Sequence, residues 1–192
     1  MIDDGDGVPR HLQRTVFEPR VTSKLDSMHM DKWGVHGRGM ALYSIAVNAE
    51  SATISASDSG IGSAFVIQTD LDKLPEKTDQ SSFPTFELNE AGTVAVRGPK
   101  NILRTACEFA IESRAAVNVF IGSSTDIAAT LYAFGLGKLS AEERLFGEND
   151  PRLPICKRLS ACSSLAAFHQ SAESLGLLMS ERSARRILDG QI

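Results

Sequence analysis

Apolar and polar residues alternate through Thr53–Ser57 (TISAS) and again through Ser63–Thr69 (SAFVIQT), on either side of Asp58-Ser59-Gly60-Ile61-Gly62. A period of two flanking a glycine-rich turn predicts an antiparallel hairpin. Ahead of it, Met40–Val47 (MALYSIAV) carries apolar residues on more than one helical face, which predicts a mostly buried helix. Leu12 and Val16 share one face of a short helix predicted over residues 10–16, ended at Phe17-Glu18-Pro19 because proline disfavours helix at the residue before it. Residues 20–33 are polar, with Met28 and Met30 around His29. A connection of that length reads as a functional lid.

Leu71–Pro84 is charged and punctuated by proline, and reads as a boundary. Beyond it, Gly92–Arg97 (GTVAVR) predicts a strand, and Gly98-Pro99 the start of a helix with proline in its first turn. Leu103, Ala106, Cys107, Ala110 and Ile111 form that helix's apolar stripe. Val117–Ile121 predicts a second short strand, and residues 127–134 a further helix, with Ser123–Asp126 either capping it or holding an anion. The succession predicts a small βαβα unit with parallel strands. The tail is helical. Its last part, AESLGLLMSERSARRILDG, predicts two short helices around a turn near Gly176. Ala172 and Gly176 have the spacing of a helix-turn-helix, and Arg182, Arg185 and Arg186 sit on the second helix, but the turn is about two residues longer than that motif's. The segment reads as a DNA-binding element or as a solvated packing or dimerising helix.

Composition narrows the class without choosing a function. The 192 residues are 42% hydrophobic and 23% charged, as in an ordinary globular protein. A net charge of −4 gives no overall attraction to nucleic acid or to an anionic membrane. No apolar run approaches the ~18 residues of a membrane span, and the acidic start MIDDGDG is unlike a signal peptide. Cys107, Cys156 and Cys162 form no CxxC, which favours reduced thiols in a cytoplasmic protein, with Cys107 as a small core residue.

The candidate chemistry lies in the first 45 residues. In IDDGDGVP, glycines at alternate positions let a ligand approach the main chain, and Asp3 is an acceptor-only carboxylate for an amino group. The same composition also makes a plain surface turn. Gly34-Val35-His36-Gly37-Arg38-Gly39 then runs into the helix at Met40, where free N–H groups and the positive end of the dipole suit a phosphate. The terminal glutamate of an EF-hand loop is missing, and no GxxxxGK[ST] occurs anywhere.

Taken in order, these segments resemble the back half of a histidine-kinase-type ATP-binding domain, a member of the GHKL or Bergerat-fold ATPases. IDDGDGVP resembles the D-x-G-x-G box, with Asp3, Gly5 and Gly7 in the motif positions. VFEPRVTSK resembles the F box, with Phe17, Glu18 and Pro19 followed by Thr22, Ser23 and Lys24. GVHGRGMAL resembles the second glycine box, and SGIGSAFVIQ the closing strands. The resemblance spans about residues 1–72, and four boxes in the right order carry it where no single box does.

The resemblance implies an ATP site. Asp3 would accept from the adenine amino group, with Gly5 and Gly7 shaping the base pocket. Thr22, Ser23 and Lys24 would belong to the lid, and Gly34, His36, Gly37, Arg38, Gly39 and Met40 would surround the phosphates. His36 touches the ligand or faces water. In the family, Mg²⁺ is held by an asparagine of an N box that precedes the D-x-G-x-G box, and the phosphoacceptor histidine also lies upstream. Here the chain starts at the D-x-G-x-G box. The expectation is therefore an ATP-binding part of a bacterial-type signalling kinase with no catalytic residue or metal ligand of its own and no turnover alone. The alternatives are a nucleotide-binding or protein-interaction module without catalysis, and a transcriptional regulator.

The expected architecture is α/β. Residues 1–75 form a partial Bergerat-type sandwich with a mixed sheet, 85–148 a small α/β region, and 149–192 a helical tail. Without the N-box layer the sheet and its helix leave apolar surface, to be covered by the downstream region or by a partner, including a second copy of the chain.

Overall fold

The computed structural model describes residues 1–21, 30–31, 34–35, 40–70, 72 and 82–192, and of residues 30–31 and 34–35 the backbone alone. The chain is mixed α/β, and it forms two compact units. One joins Met1–Asp70 with Ser124–Ile192; the other is Leu71–Ser123. The first break between them falls between Asp70 and Leu71, at the start of the charged, proline-punctuated segment. The sequence division at 148 is replaced, because the helix that begins at Ser124 and everything after it pack with the first 70 residues.

The first unit is built on a three-stranded antiparallel sheet in the order β1-β5-β4. Strands β4 (Ser51–Ser57) and β5 (Ser63–Gln68) form the expected hairpin, paired from Ser51↔Gln68 to Ser57↔Ser63, with a bulge between Ile54 and Ala56. Strand β1 (Ile2–Asp3) pairs antiparallel with β5, Ile2 opposite Ala64 and Asp3 opposite Ser63. Strands β2 (Met30–Asp31) and β3 (Gly34–Val35) make a separate two-stranded ribbon. Residues 10–17 are a series of turns, not a helix: Leu12 N–H donates to Pro9 O, Thr15 N–H to Leu12 O and Glu18 N–H to Thr15 O. The segment has too few residues before Pro19 to propagate a helix.

The two faces of the sheet are covered differently. Phe65 points to one side, against the edge of Phe17 at 6.4 Å. Helix α1 (Ala41–Asn48) packs by β4 and contains no buried residue, with Ile45 37% and Val47 61% exposed. The mostly buried helix expected there is therefore corrected: apolar residues around its circumference do not supply a layer to bury them. On the other side, Ala64 (0% exposed) joins Ile2, Ala56 and Ile61 in the main core with residues from the end of the chain.

That covering layer comes from α3 (Ser124–Leu136), a 3₁₀ segment Ile155–Ala161, α5 (Leu165–Ser174) and α6 (Glu181–Leu188), after the short α4 (Ala141–Phe146). Ile155, Leu159, Phe168, Ala172, Leu175, Ala184 and Ile187 are all but inaccessible to water. Phe168 meets Tyr132 of α3 edge-on at 5.7 Å. Ser160 Oγ donates to Tyr132 O at 2.7 Å, and Ile155 N–H donates to Ile61 O at 2.9 Å, tying the layer to the hairpin turn. The tail is helical as expected, with Gly176 at φ 79° in the turn between α5 and α6, seated on Val66 of β5. The downstream region thus covers the Ala64 face of the sheet. Cys162 is half-buried, and burial, with the Glu148 charge adding to it, pushes its thiol up to about 11.

In the second unit β6 (Thr85–Leu88) pairs antiparallel with β7 (Val94–Arg97), and α2 (Ile102–Glu112) follows. Asn101 caps α2 by accepting from Arg104 N–H, so Gly98-Pro99 lies ahead of the helix and not in its first turn. The expected stripe holds, with Cys107 buried and Leu103, Ala106, Ala110 and Ile111 half-buried. Residues 117–121 are not a strand, and Phe120 is 62% exposed. The parallel crossover is corrected to an antiparallel hairpin, since the apolar run finds no neighbouring strand among the described residues. The mixed sheet is corrected too: every pairing among the described residues is antiparallel.

Two outcomes check this packing. Phe168→Ala is expected to cost about 3–5 kcal/mol in urea unfolding and, on hydrogen exchange, to deprotect the β5 amides together with α5; exchange confined to α5 would show that sheet and tail are not one core. Iodoacetamide at pH 8 is expected to leave Cys162 almost untouched, since with a thiol pKa near 11 only about one molecule in a thousand is thiolate. Rapid labelling by mass spectrometry would contradict that.

Candidate functional site

The end of β1 and the β4–β5 turn are built into each other. Asp3 Oδ1 accepts from Gly5 N–H at 3.0 Å, which bends the chain out of the strand. Its other carboxylate oxygen takes no hydrogen bond from any described residue. Asp3 is half-buried at the strand end, opposite buried Ser63. Such a carboxylate is an acceptor with a direction, suited to an amino group.

Gly7 is demanded by packing. Its φ is 74°, and a Cβ there would stand 1.8 Å from Asp58 O and 2.9 Å from Gly62 O. Gly62, at φ 86°, is its counterpart: a Cβ would lie 2.2 Å from Asp3 O. The two turns therefore stack backbone on backbone, as only glycine permits.

Ser57 is the polar hub between them. Its Oγ accepts from Val8 N–H at 2.6 Å and lies 3.0 Å from Gly62 O and 3.1 Å from Ser63 Oγ. Gln13 Nε2 bridges Val8 O (3.0 Å) and Ser57 O (2.8 Å), and Gly60 N–H donates to Asp6 O at 2.7 Å. At the rim, Arg10 Nε meets Asp58 Oδ2 at 2.6 Å. The Ser59 N–H, and after it Arg10, hold the Asp58 carboxyl below its ordinary range.

Of the residues expected in the site, Asp3, Gly5 and Gly7 come together in this turn. Gly34 lies in β3, and Met40 flanks α1 with its side chain 39% exposed; no hydrogen bond among the described residues joins either to the Asp3 turn. Thr22, Ser23, Lys24, His36, Gly37, Arg38 and Gly39 lie outside the described residues. The first turn of α1 carries no acidic side chain, so nothing there opposes an anion at the helix start. Ser57, Ser63 and Gln13 were not singled out in the sequence. The two serines flank the DSGIG turn and were visible as its polar closing pair; Gln13 carries no local signal, because its partners are 5 and 44 positions away.

Among the described residues no three His, Cys, Asp or Glu side chains gather as a metal site. An open, mostly apolar groove lies in the second unit, lined by Asn101, Ile102, Thr105 and Phe109, and includes none of the expected ligand residues. No family model matches the chain, and no curated protein or solved structure matches it either.

Gly7→Ala is expected to destabilise the first unit by at least about 3 kcal/mol, the sum of left-handed strain and overpacking against backbone that cannot yield. Gly60→Ala, at φ 78° but with nothing within 4 Å of its Cβ, is expected to cost only about 1–2 kcal/mol. Equal losses in thermal or urea unfolding would refute the stacked turns.

Proposed function

We propose that residues 1–70 bind an adenine nucleotide, as the ATP-binding part of a histidine-kinase-like ATPase in a bacterial-type signalling protein, built as part of a Bergerat-type sandwich. The observation that carries this reading is the Asp3 turn. A carboxylate with one unengaged oxygen ends a strand, opposite buried Ser63, and the glycine turn after it is held in place by the hairpin. In this reading Asp3 accepts from the adenine amino group. The lid and phosphate contacts fall to Thr22, Ser23 and Lys24 and to the backbone of residues 34–40, with the α1 N-terminus as the anion end. ATP is the ligand. Mg²⁺ belongs to the family's chemistry, but the described residues offer it no ligand set.

Phosphoryl transfer needs charge neutralisation between the phosphates, so the chain alone is read as binding without turnover. A purely regulatory nucleotide-binding or interaction module is the second reading. It is favoured by α1, whose exposed Ile45 and Val47 suit a protein partner or a second copy of the chain. No helix among the described residues is long and apolar enough to cross a membrane; a cytoplasmic setting is part of the same proposal.

Titration with a trinitrophenyl-ATP analogue tests the site. Binding is expected without Mg²⁺, displaced by ATP and ADP, and weakened about 10–100-fold in Asp3→Asn, the size of one charge-assisted hydrogen bond. Unchanged affinity in that variant, or no displacement by adenine nucleotides, would sink the reading.

A further inference from the structure

Helix α6 presents a row of cations left unpaired among the described residues. Between residues 124 and 192 the other Lys and Arg side chains are all engaged. Lys138 lies over the Phe134 ring, Arg144 donates to Leu136 O and Arg152 pairs with Asp150. Lys157 pairs with Glu143 at 2.8 Å, and Arg158 donates to Leu153 O and Pro151 O. Arg182, Arg185 and Arg186 have no ion-pair or hydrogen-bond partner among the described residues and are exposed. Their spacing of three and four places them on one face.

The display is rigid. On the opposite face Ala184 (0% exposed) and Ile187 (2%) lock the helix into the core. Ser180 caps its start by accepting from Ser183 N–H at 3.1 Å, and His169 of α5 donates through Nε2 to Met179 O at 2.9 Å, fixing the connection. Glu181 and Asp189 stand at the two ends of the helix, and neither pairs with the arginines.

We propose that this face of α6 binds duplex DNA. An α-helix with its side chains is about 10–12 Å across, which the roughly 12 Å width of the major groove admits, and eight residues give α6 a length of about 12 Å to lay in it. The outer face from Arg182 to Asp189 shows no exposed apolar residue. That is the composition of a nucleic-acid interface, whereas a protein interface needs an apolar centre. Exposed apolar side chains lie only beyond its two ends, Leu178 (71% exposed) on the connection and Ile192 (44%) after the helix, among the described residues. The six-residue connection between α5 and α6 is longer than a compact helix-turn-helix allows, so the surface rests on the arginine row and not on that motif. Binding is local, because the whole chain carries −4.

Fluorescence anisotropy of the full chain with a labelled 20-base-pair duplex of mixed sequence tests this. Micromolar binding is expected at 50 mM salt, falling about 40-fold by 200 mM, as three neutralised phosphates require. Replacing all three arginines by Gln is expected to abolish binding with an unchanged melting temperature. Should that variant misfold, Arg182→Gln and Arg186→Gln singly are each expected to reduce the salt slope by about one. No binding at 100 µM protein, a slope unmoved by the substitutions, or equal displacement by poly-glutamate, which would identify an acidic protein as the partner, overturns the proposal.

Discussion

Burial of the Ala64 side of the β1-β5-β4 sheet is the interaction on which the first unit depends. A two-residue strand on the edge of a hairpin has no independent stability. Here Ile2, Ala56 and Ala64 enter a core whose larger part comes from Ile155, Leu159, Phe168, Leu175 and Ile187. The strand that carries Asp3 is therefore held in place by residues about 150 positions later in the chain. Bringing them together requires closing a long loop, but the entropic cost grows only logarithmically with length. A separate unit, Leu71–Ser123, is accommodated within that loop.

The Asp3 turn follows from this arrangement. With β1 set against β5, the turn leaving β1 and the turn joining β4 to β5 must occupy the same space. Gly7 and Gly62 solve it by presenting bare backbone to each other, and Ser57 satisfies the amide and carbonyl groups left at the seam. The carboxylate of Asp3 is thereby oriented without its second oxygen being used. Rigidity of the turn and availability of the acceptor have one origin.

The exposed elements carry the remaining chemistry. Helix α1 leaves Ile45 and Val47 exposed. In α6, Ala184 and Ile187 are inside and the three arginines outside, with no ion-pair partner among the described residues. One surface is apolar and the other cationic, so they suit partners of different chemistry.

Local pattern by itself determined the elements whose signal is local. The 51–68 hairpin was legible because alternation and a glycine turn occur within 18 consecutive residues, and the α2 stripe and the break at Gly176 were legible for the same reason. Asp3, Gly5 and Gly7 were visible as a group, since spacing is a property of the chain. Tertiary structure decided what lay beyond the reach of a window. It left α1 with no buried residue although its composition is that of a buried helix, and it made residues 10–17 turns. It withheld a strand partner from 117–121, so that no parallel sheet formed. It joined 124–192 to the first 70 residues, and it recruited Gln13 and Ser57 into the seam. In each case the reason is the same: periodicity states which face of an element prefers to be dry, but only the placement of distant segments determines whether anything arrives to cover it.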